Sequence, residues 1–122
     1  MLNWFIRRVH SFRCAFGGLG YLFVSQPHAR IHLLAVVLVC LAAWLTGISS
    51  VEWSVLILVM ALVMTLEAFN TALETLADAL HPGHHPLVGR AKDVAAGAVL
   101  ISAISSVIIA GLIFAPYWFP LQ

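Results

Sequence analysis

The sequence predicts an all-α membrane protein in which an N-terminal amphipathic surface helix precedes three transmembrane helices. Two observations carry the class. Hydrophobic residues make up 62% of the 122-residue chain and charged residues 9%, with a mean hydropathy of +1.02, which excludes an ordinary soluble domain with a charged surface. The apolar residues also gather into long runs, each about the roughly 20 residues a helix needs to cross the hydrocarbon core. At 13.3 kDa there is room for one domain, 1–122, and little for a soluble module. Any chemistry sits in or beside the bilayer.

The first element covers about residues 3–24. Phe5, Val9, Phe12, Phe16, Leu19 and Phe23 recur at alternating spacings of four and three, placing them on one helical stripe. Arg7, Arg8, His10 and Arg13 occupy much of the remaining surface. Such a helix lies in the interface, its apolar face in the acyl chains and its arginines among the headgroups. Gly17, Gly18 and Gly20 loosen its second half. The stretch is not read as a signal peptide, because Arg13 interrupts it and no small-x-small cleavage pattern closes it.

The first span, about 30–48, contains IHLLAVVLVCLAAWLTGI, with no formal charge and one histidine. A turn at 47–51 leads into the second, about 52–80, where WSVLILVMALVMTL changes composition abruptly at Glu67 and the helical pattern continues until His81, Pro82 and Gly83 stop it. At 1.5 Å per residue this helix is about 42 Å long, so its last turns emerge among the headgroups. The third span, about 91–115, is expected to end at Pro116 and Pro120. Ala98, Ser102, Ser106 and Ala110 make an i+4 stripe of small residues along it that admits a close helix contact. Tyr117, Trp118 and Phe119 read as an interfacial anchor.

All six Lys and Arg residues precede the first span or lie between the second and third. The positive-inside rule therefore puts the N-terminus and the 81–93 loop in the cytoplasm and the C-terminus outside. The net charge of +1 gives no field that would recruit nucleic acid. Cys14 and Cys40 match neither a disulfide nor a metal pair in spacing or context, and read as small apolar residues.

Chemistry is concentrated at Glu67, Asn70, Thr71, Glu74 and Asp78, which fall within an arc of about 100° over about 16 Å of one helix. An ionisable group in a span costs at least ~2.5 to 3.5 kcal/mol, so such a face points into the bundle or a wet cavity. Carboxylates outnumbering nearby cations favour a metal or a proton. The cations come at Gly89-Arg90-Ala91-Lys92-Asp93, expected at the start of the third helix, where backbone N–H groups favour phosphate. Together these are the parts of metal-assisted phosphoryl transfer. Walker A and kinase glycine-loop motifs are absent. His81, His84 and His85 have the composition of a turn and lack a cysteine partner for zinc.

These residues resemble the prokaryotic diacylglycerol kinase family, and within it the undecaprenol kinase branch. The resemblance is carried by Ser11-Phe12-Arg13-x-Ala15-Phe16-x-Gly18-Leu19, Arg30-Ile31-His32-Leu33-Leu34, Glu67-x-x-Asn70-Thr71-Ala72-x-Glu74, and His85-Pro86-Leu87 running into Ala91-Lys92-Asp93-Val94-Ala95-Ala96-Gly97-Ala98-Val99-Leu100. It implies a homotrimer in the bacterial inner (plasma) membrane, with active sites between subunits, transferring phosphate from ATP with Mg²⁺ to a membrane lipid alcohol. By resemblance Glu67 is the catalytic base, Glu74 contacts metal and nucleotide, and Lys92 and Asp93 contact ATP. Gly83, His84 and His85 border the nucleotide, Arg7 meets ATP or lipid, and Asn70 supports the reacting groups. Gln26 stands where relatives carry a second metal-binding Glu that also contacts the nucleotide, and Cys14 where they commonly carry a nucleotide-contacting Tyr.

His32 and its surroundings look like the undecaprenol branch, which makes undecaprenyl phosphate; diacylglycerol is the alternative acceptor. From other classes come a proton-conducting subunit using Glu67 as relay and a scaffold packing through the small-residue stripe.

Overall fold

The computed structural model describes residues 1–119, with the backbone alone for Leu2 and Asn3. Four helices follow in order: α1 (Leu2–Ser25), α2 (Pro27–Thr46), α3 (Ser50–Leu80) and α4 (Pro86–Trp118). The last three are each long and apolar enough to cross a membrane, as the composition predicts. The antiparallel pair α3 and α4 forms the most extensive contact, α2 lies against both, and among the described residues α1 touches α2 and α3 but not α4.

The helix boundaries depart from expectation, and proline accounts for two of the shifts. Gln26 is extended (φ −112°, ψ 110°) and Pro27 opens α2, three residues earlier than anticipated. A residue before proline is pushed out of the helical region, while proline itself is preorganised for the first helical position. Arg30 then reaches back to close α1, its Nε donating to the Phe23 carbonyl at 2.7 Å and its Nη2 to that of Val24 at 2.5 Å. This cation satisfies carbonyls at a helix C-terminus, where positive charge is favoured. Pro86 likewise opens α4, so the connection after α3 is only 81–85.

Gly47 ends α2 two residues sooner than expected, with φ 71° and ψ 42°, a left-handed conformation in which a Cβ is strained. Ser49 starts α3 through a capping box: its Oγ accepts from the Glu52 N–H, while the Glu52 carboxylate accepts from the Ser49 N–H at 2.7 Å. Each satisfies an orphan donor of the first turn. Pro116, expected to stop the last helix, lies inside α4, which continues to Trp118. Its ring removes one backbone bond, to the Leu112 carbonyl, but so near the end that only the final turn is loosened. Pro120 lies outside the described residues.

The buried core is small and sits at the end of the bundle remote from the 81–85 connection: Ala43, Ile48, Leu56 and Phe114, ringed by residues such as Trp53 and Met60. Leu41, Leu58, Leu62, Ile104 and Leu112 are each about half exposed or more, a surface suited to lipid rather than water. On α4 the predicted small stripe does face inward, Ser102 being buried and Ala98, Ser106 and Ala110 half-buried. Ser102 and Ser106 donate to carbonyls of their own helix, Val99 and Ala103, at 2.8 Å. They leave a smooth packing surface.

In α1, Phe5, Val9, Phe12 and Phe16 are exposed, so the first four residues of the predicted stripe face away from the bundle, while Leu19 borders α3 and Phe23 is half-buried. The buried residue of this helix is Leu22, off the stripe, beside the face of Ala15, Gly18 and Leu19 that meets α3 around Thr71 and Ala72. Cys14 and Cys40 are free thiols.

Candidate functional site

Three helices converge on one cavity of about 360 Å³ that mixes polar and apolar lining. The α3 face supplies Glu67, Asn70 and Glu74; the start of α2 supplies Gln26, His28 and His32; and α4 closes the far side with Ala96, Val99, Leu100 and Ala103. Glu67 is only 4% exposed. The cavity thus lies where the acidic face of α3 meets the apolar, small-residue face of α4.

The polar groups around it lack partners within this chain. Asn70 Oδ1 is buried without a hydrogen bond; Thr71 Oγ1, one residue on, is also without one but borders the separate groove between α1 and α3. The one ion pair among the described residues joins Lys92 Nζ to Asp78 Oδ1 at 2.8 Å, so neither Glu67 nor Glu74 is ion-paired, although the Lys92 charge is near enough to interact with Glu74. Buried polar atoms are normally satisfied, so this cluster has spare acceptors. Glu74 and the side-chain oxygen of Gln26, which share the cavity, are hard oxygen donors of the kind Mg²⁺ takes alongside water and phosphate, while Glu67 lies about 10 Å from Glu74 along the axis of α3. Among the described residues no three His, Cys, Asp or Glu side chains are gathered as a metal cage.

Of the residues singled out in the sequence, the structure brings together Gln26, Glu67, Asn70 and Glu74. The others lie elsewhere in the chain. Lys92 is a half-buried residue of α4 held by Asp78, itself well exposed, and Asp93 beside it is exposed. Gly83, His84 and His85 form the exposed 81–85 connection, where the rings of His81 and His85 lie 5.4 Å apart. Arg7 and Cys14 are exposed on α1, with Cys14 Sγ 3.6 Å from His10 Nδ1.

One expectation about phosphate is corrected by the helix boundary. Because α4 begins at Pro86, the Gly89 N–H already donates to the His85 carbonyl at 3.0 Å, and Arg90, Lys92 and Asp93 follow the first turn. Any phosphate contact from Lys92 is therefore through its side chain, while the unpaired N–H groups belong nearer the helix start. Sequence reading also missed His28 and His32 as cavity-lining residues. Their i, i+4 spacing at the polar start of an apolar helix is the signal that marks a shared face.

The family model for prokaryotic diacylglycerol kinase matches residues 13–114. A diacylglycerol kinase of Synechocystis sp. is 44% identical over 107 residues, 87% of this chain and 61% of that protein, so the chain spans about three-fifths of that relative's length. An undecaprenol kinase of Bacillus subtilis is 38% identical over 75% of each chain, and a diacylglycerol kinase of Escherichia coli is 34% identical over 85% of each. With three membrane-length helices and a family match that runs over most of its length, the chain belongs to the prokaryotic diacylglycerol kinase family.

Proposed function

We propose that residues 1–122 form a single integral-membrane lipid-kinase domain that transfers the γ-phosphoryl group of ATP to the hydroxyl of a membrane lipid alcohol, with undecaprenol as the acceptor. The observation that carries this reading is the buried Glu67 carboxylate, not ion-paired among the described residues, sharing one cavity with Asn70 and Glu74. The family and its kinase-named relatives supply the reaction class.

In this reading Glu67 accepts the proton of the lipid hydroxyl as its oxygen attacks the γ-phosphorus; the new O–P bond forms as the bond to the β-phosphate oxygen breaks and ADP leaves. Asn70 orients the hydroxyl through its free side-chain oxygen. Glu74, with Gln26, would hold Mg²⁺, which would supply neutralisation of phosphate charge. Lys92 exchanges Asp78 for phosphate oxygens, Asp93 and the 83–85 turn border the nucleotide, and Arg7 and Cys14 approach it from α1. The exposed positions of these last groups fit a site completed between subunits of a homotrimer. The N-terminus and the 81–85 turn face the cytoplasm of the bacterial inner membrane, and α1 lies in the interface.

Diacylglycerol is the second reading for the acceptor, favoured by the names of the Synechocystis and Escherichia coli relatives. The deciding experiment offers labelled MgATP with undecaprenol or diacylglycerol, separately, in mixed micelles. Label is expected in undecaprenol, and Glu67→Gln should lower turnover by roughly 10² to 10⁴ with assembly intact. Label only in diacylglycerol would reassign the acceptor. No transfer to either by a folded protein would remove the kinase reading.

A further inference from the structure

We infer that the Tyr117–Glu52 hydrogen bond pins the axial register of α4 on α3 and thereby positions the α4 wall of the Glu67 cavity, at the opposite part of the bundle. The two helices are joined by side-chain polar bonds at only two places among the described residues. Lys92 Nζ meets Asp78 Oδ1 at 2.8 Å, and Tyr117 Oη donates to Glu52 Oε2 at 2.8 Å. Both belong to one antiparallel register. From Glu52 to Asp78 is 26 residues on α3, and from Lys92 to Tyr117 is 25 on α4.

The same register runs between them. Leu56 and Phe114, a turn inward from the Tyr117 bond, share one buried cluster. Glu67, Asn70 and Glu74, at intervals of three and four, are met across the cavity by Ala103, Leu100 and Ala96 at the same intervals in reverse. The cavity's far wall is therefore set by how α4 is aligned lengthwise. The seam does not fix that alignment through its serines, because Ser102 and Ser106 spend their hydroxyls on their own helix. A smooth small-residue seam packs closely but resists sliding less than interlocked polar groups do. The Lys92–Asp78 bond is exposed, as the Tyr117–Glu52 bond is, but neither of its partners is held by a second side-chain bond among the described residues, and such a lone exposed pair contributes little.

The Tyr117 end has the features of a fixed point. Glu52 is already immobilised by the Ser49 capping box. Trp118 Nε1 donates to Thr46 Oγ1 of α2 at 3.2 Å and its ring stacks on Phe114 at 5.0 Å. Pro116 deprives this last turn of a backbone bond, so side chains hold it in place.

Tyr117 and Glu52 are thus positioning residues. The register arm of the test is independent of the kinase reading; the activity arm rests on it. In a background with Cys14→Ala and Cys40→Ala, the pair Met60→Cys/Ala110→Cys reports the native register and Met60→Cys/Ser106→Cys a shift of one turn. Oxidation should link the first pair within one chain and the second only weakly. Tyr117→Phe should lower that ratio by about three- to tenfold, the worth of one hydrogen bond, and reduce kcat for lipid phosphorylation similarly with KM for the lipid unchanged. Glu52→Gln, which keeps an acceptor for Tyr117 and a competent capping box, should preserve both. An unchanged ratio in Tyr117→Phe overturns the pin, as do links that form only between chains. A lowered ratio with unchanged kcat overturns the positioning role. If the parent protein transfers no phosphate the kinase reading fails, and the linking ratio still decides the pin.

Discussion

Glu67 and Glu74 lie on one face of one helix yet differ in surroundings: Glu67 is buried and Glu74 half-buried toward the helix end. Seven residues separate them along about 10 Å of helix axis, which suits one to meet the reacting hydroxyl and the other the metal-bound nucleotide. Glu74→Gln should therefore raise the Mg²⁺ concentration for half-maximal transfer on the order of tenfold or more, since even outer-shell ligand partners change metal affinity by that much. An unchanged Mg²⁺ titration would remove Glu74 from that role. At this scale the sequence was most readable where it broke a rule. Carboxylates inside an apolar run are conspicuous, and the cavity contains them. His28 and His32 were not conspicuous, because a histidine near a helix start is compatible with a headgroup position and only packing shows which cavity it lines. The Lys92–Asp78 pair crosses a helix–helix contact that no local spacing reveals.

Helix number and character followed from apolar run length, but the ends depended on single residues whose two meanings a sequence does not separate. Proline both stops a helix and starts one, and at Pro27 and Pro86 it starts one. Pro116 does neither, because a break so close to the end removes one bond. At the α2–α3 turn the Ser49-x-x-Glu52 signature was present, although the helix was expected to begin three residues later than its cap. Its energetic role can be measured. Ser49→Ala should destabilise the folded protein by about 1 kcal/mol through loss of the cap, and Gly47→Ala by about 1 to 2 kcal/mol through the left-handed backbone it must adopt. Both are readable by reversible unfolding in mixed micelles. The contact environment makes Gly47 a clean case: a Cβ built there meets no atom within 4 Å, so conformational strain rather than a clash accounts for the loss. An unaltered midpoint for Gly47→Ala would mean that the turn relaxes to another conformation.

At the scale of the whole molecule, the arrangement separates two ends with different charge. The end holding the 81–85 connection carries Arg90 and Lys92 nearby, and the α1–α2 junction adds Arg30; the other end, at 47–49 and Tyr117, has no Lys or Arg. Moving the basic end through the hydrocarbon core would carry several charges at ~2.5 to 3.5 kcal/mol or more each, which is the physical ground for the proposed orientation. The orientation proposed here puts the basic end, the Glu67 cavity and ATP on one side of the membrane. It is testable with an impermeant maleimide on intact cells after Cys40→Ala. A Ser50→Cys protein, altered at the exposed first residue of α3, should be labelled without permeabilisation in a Cys14→Ala background. The exposed native Cys14 should react only after permeabilisation in a protein that retains it. The reverse pattern would place the carboxylate cavity on the side without ATP. Glu67 could then not act as the base for ATP-driven transfer, however well the cavity is shaped for it.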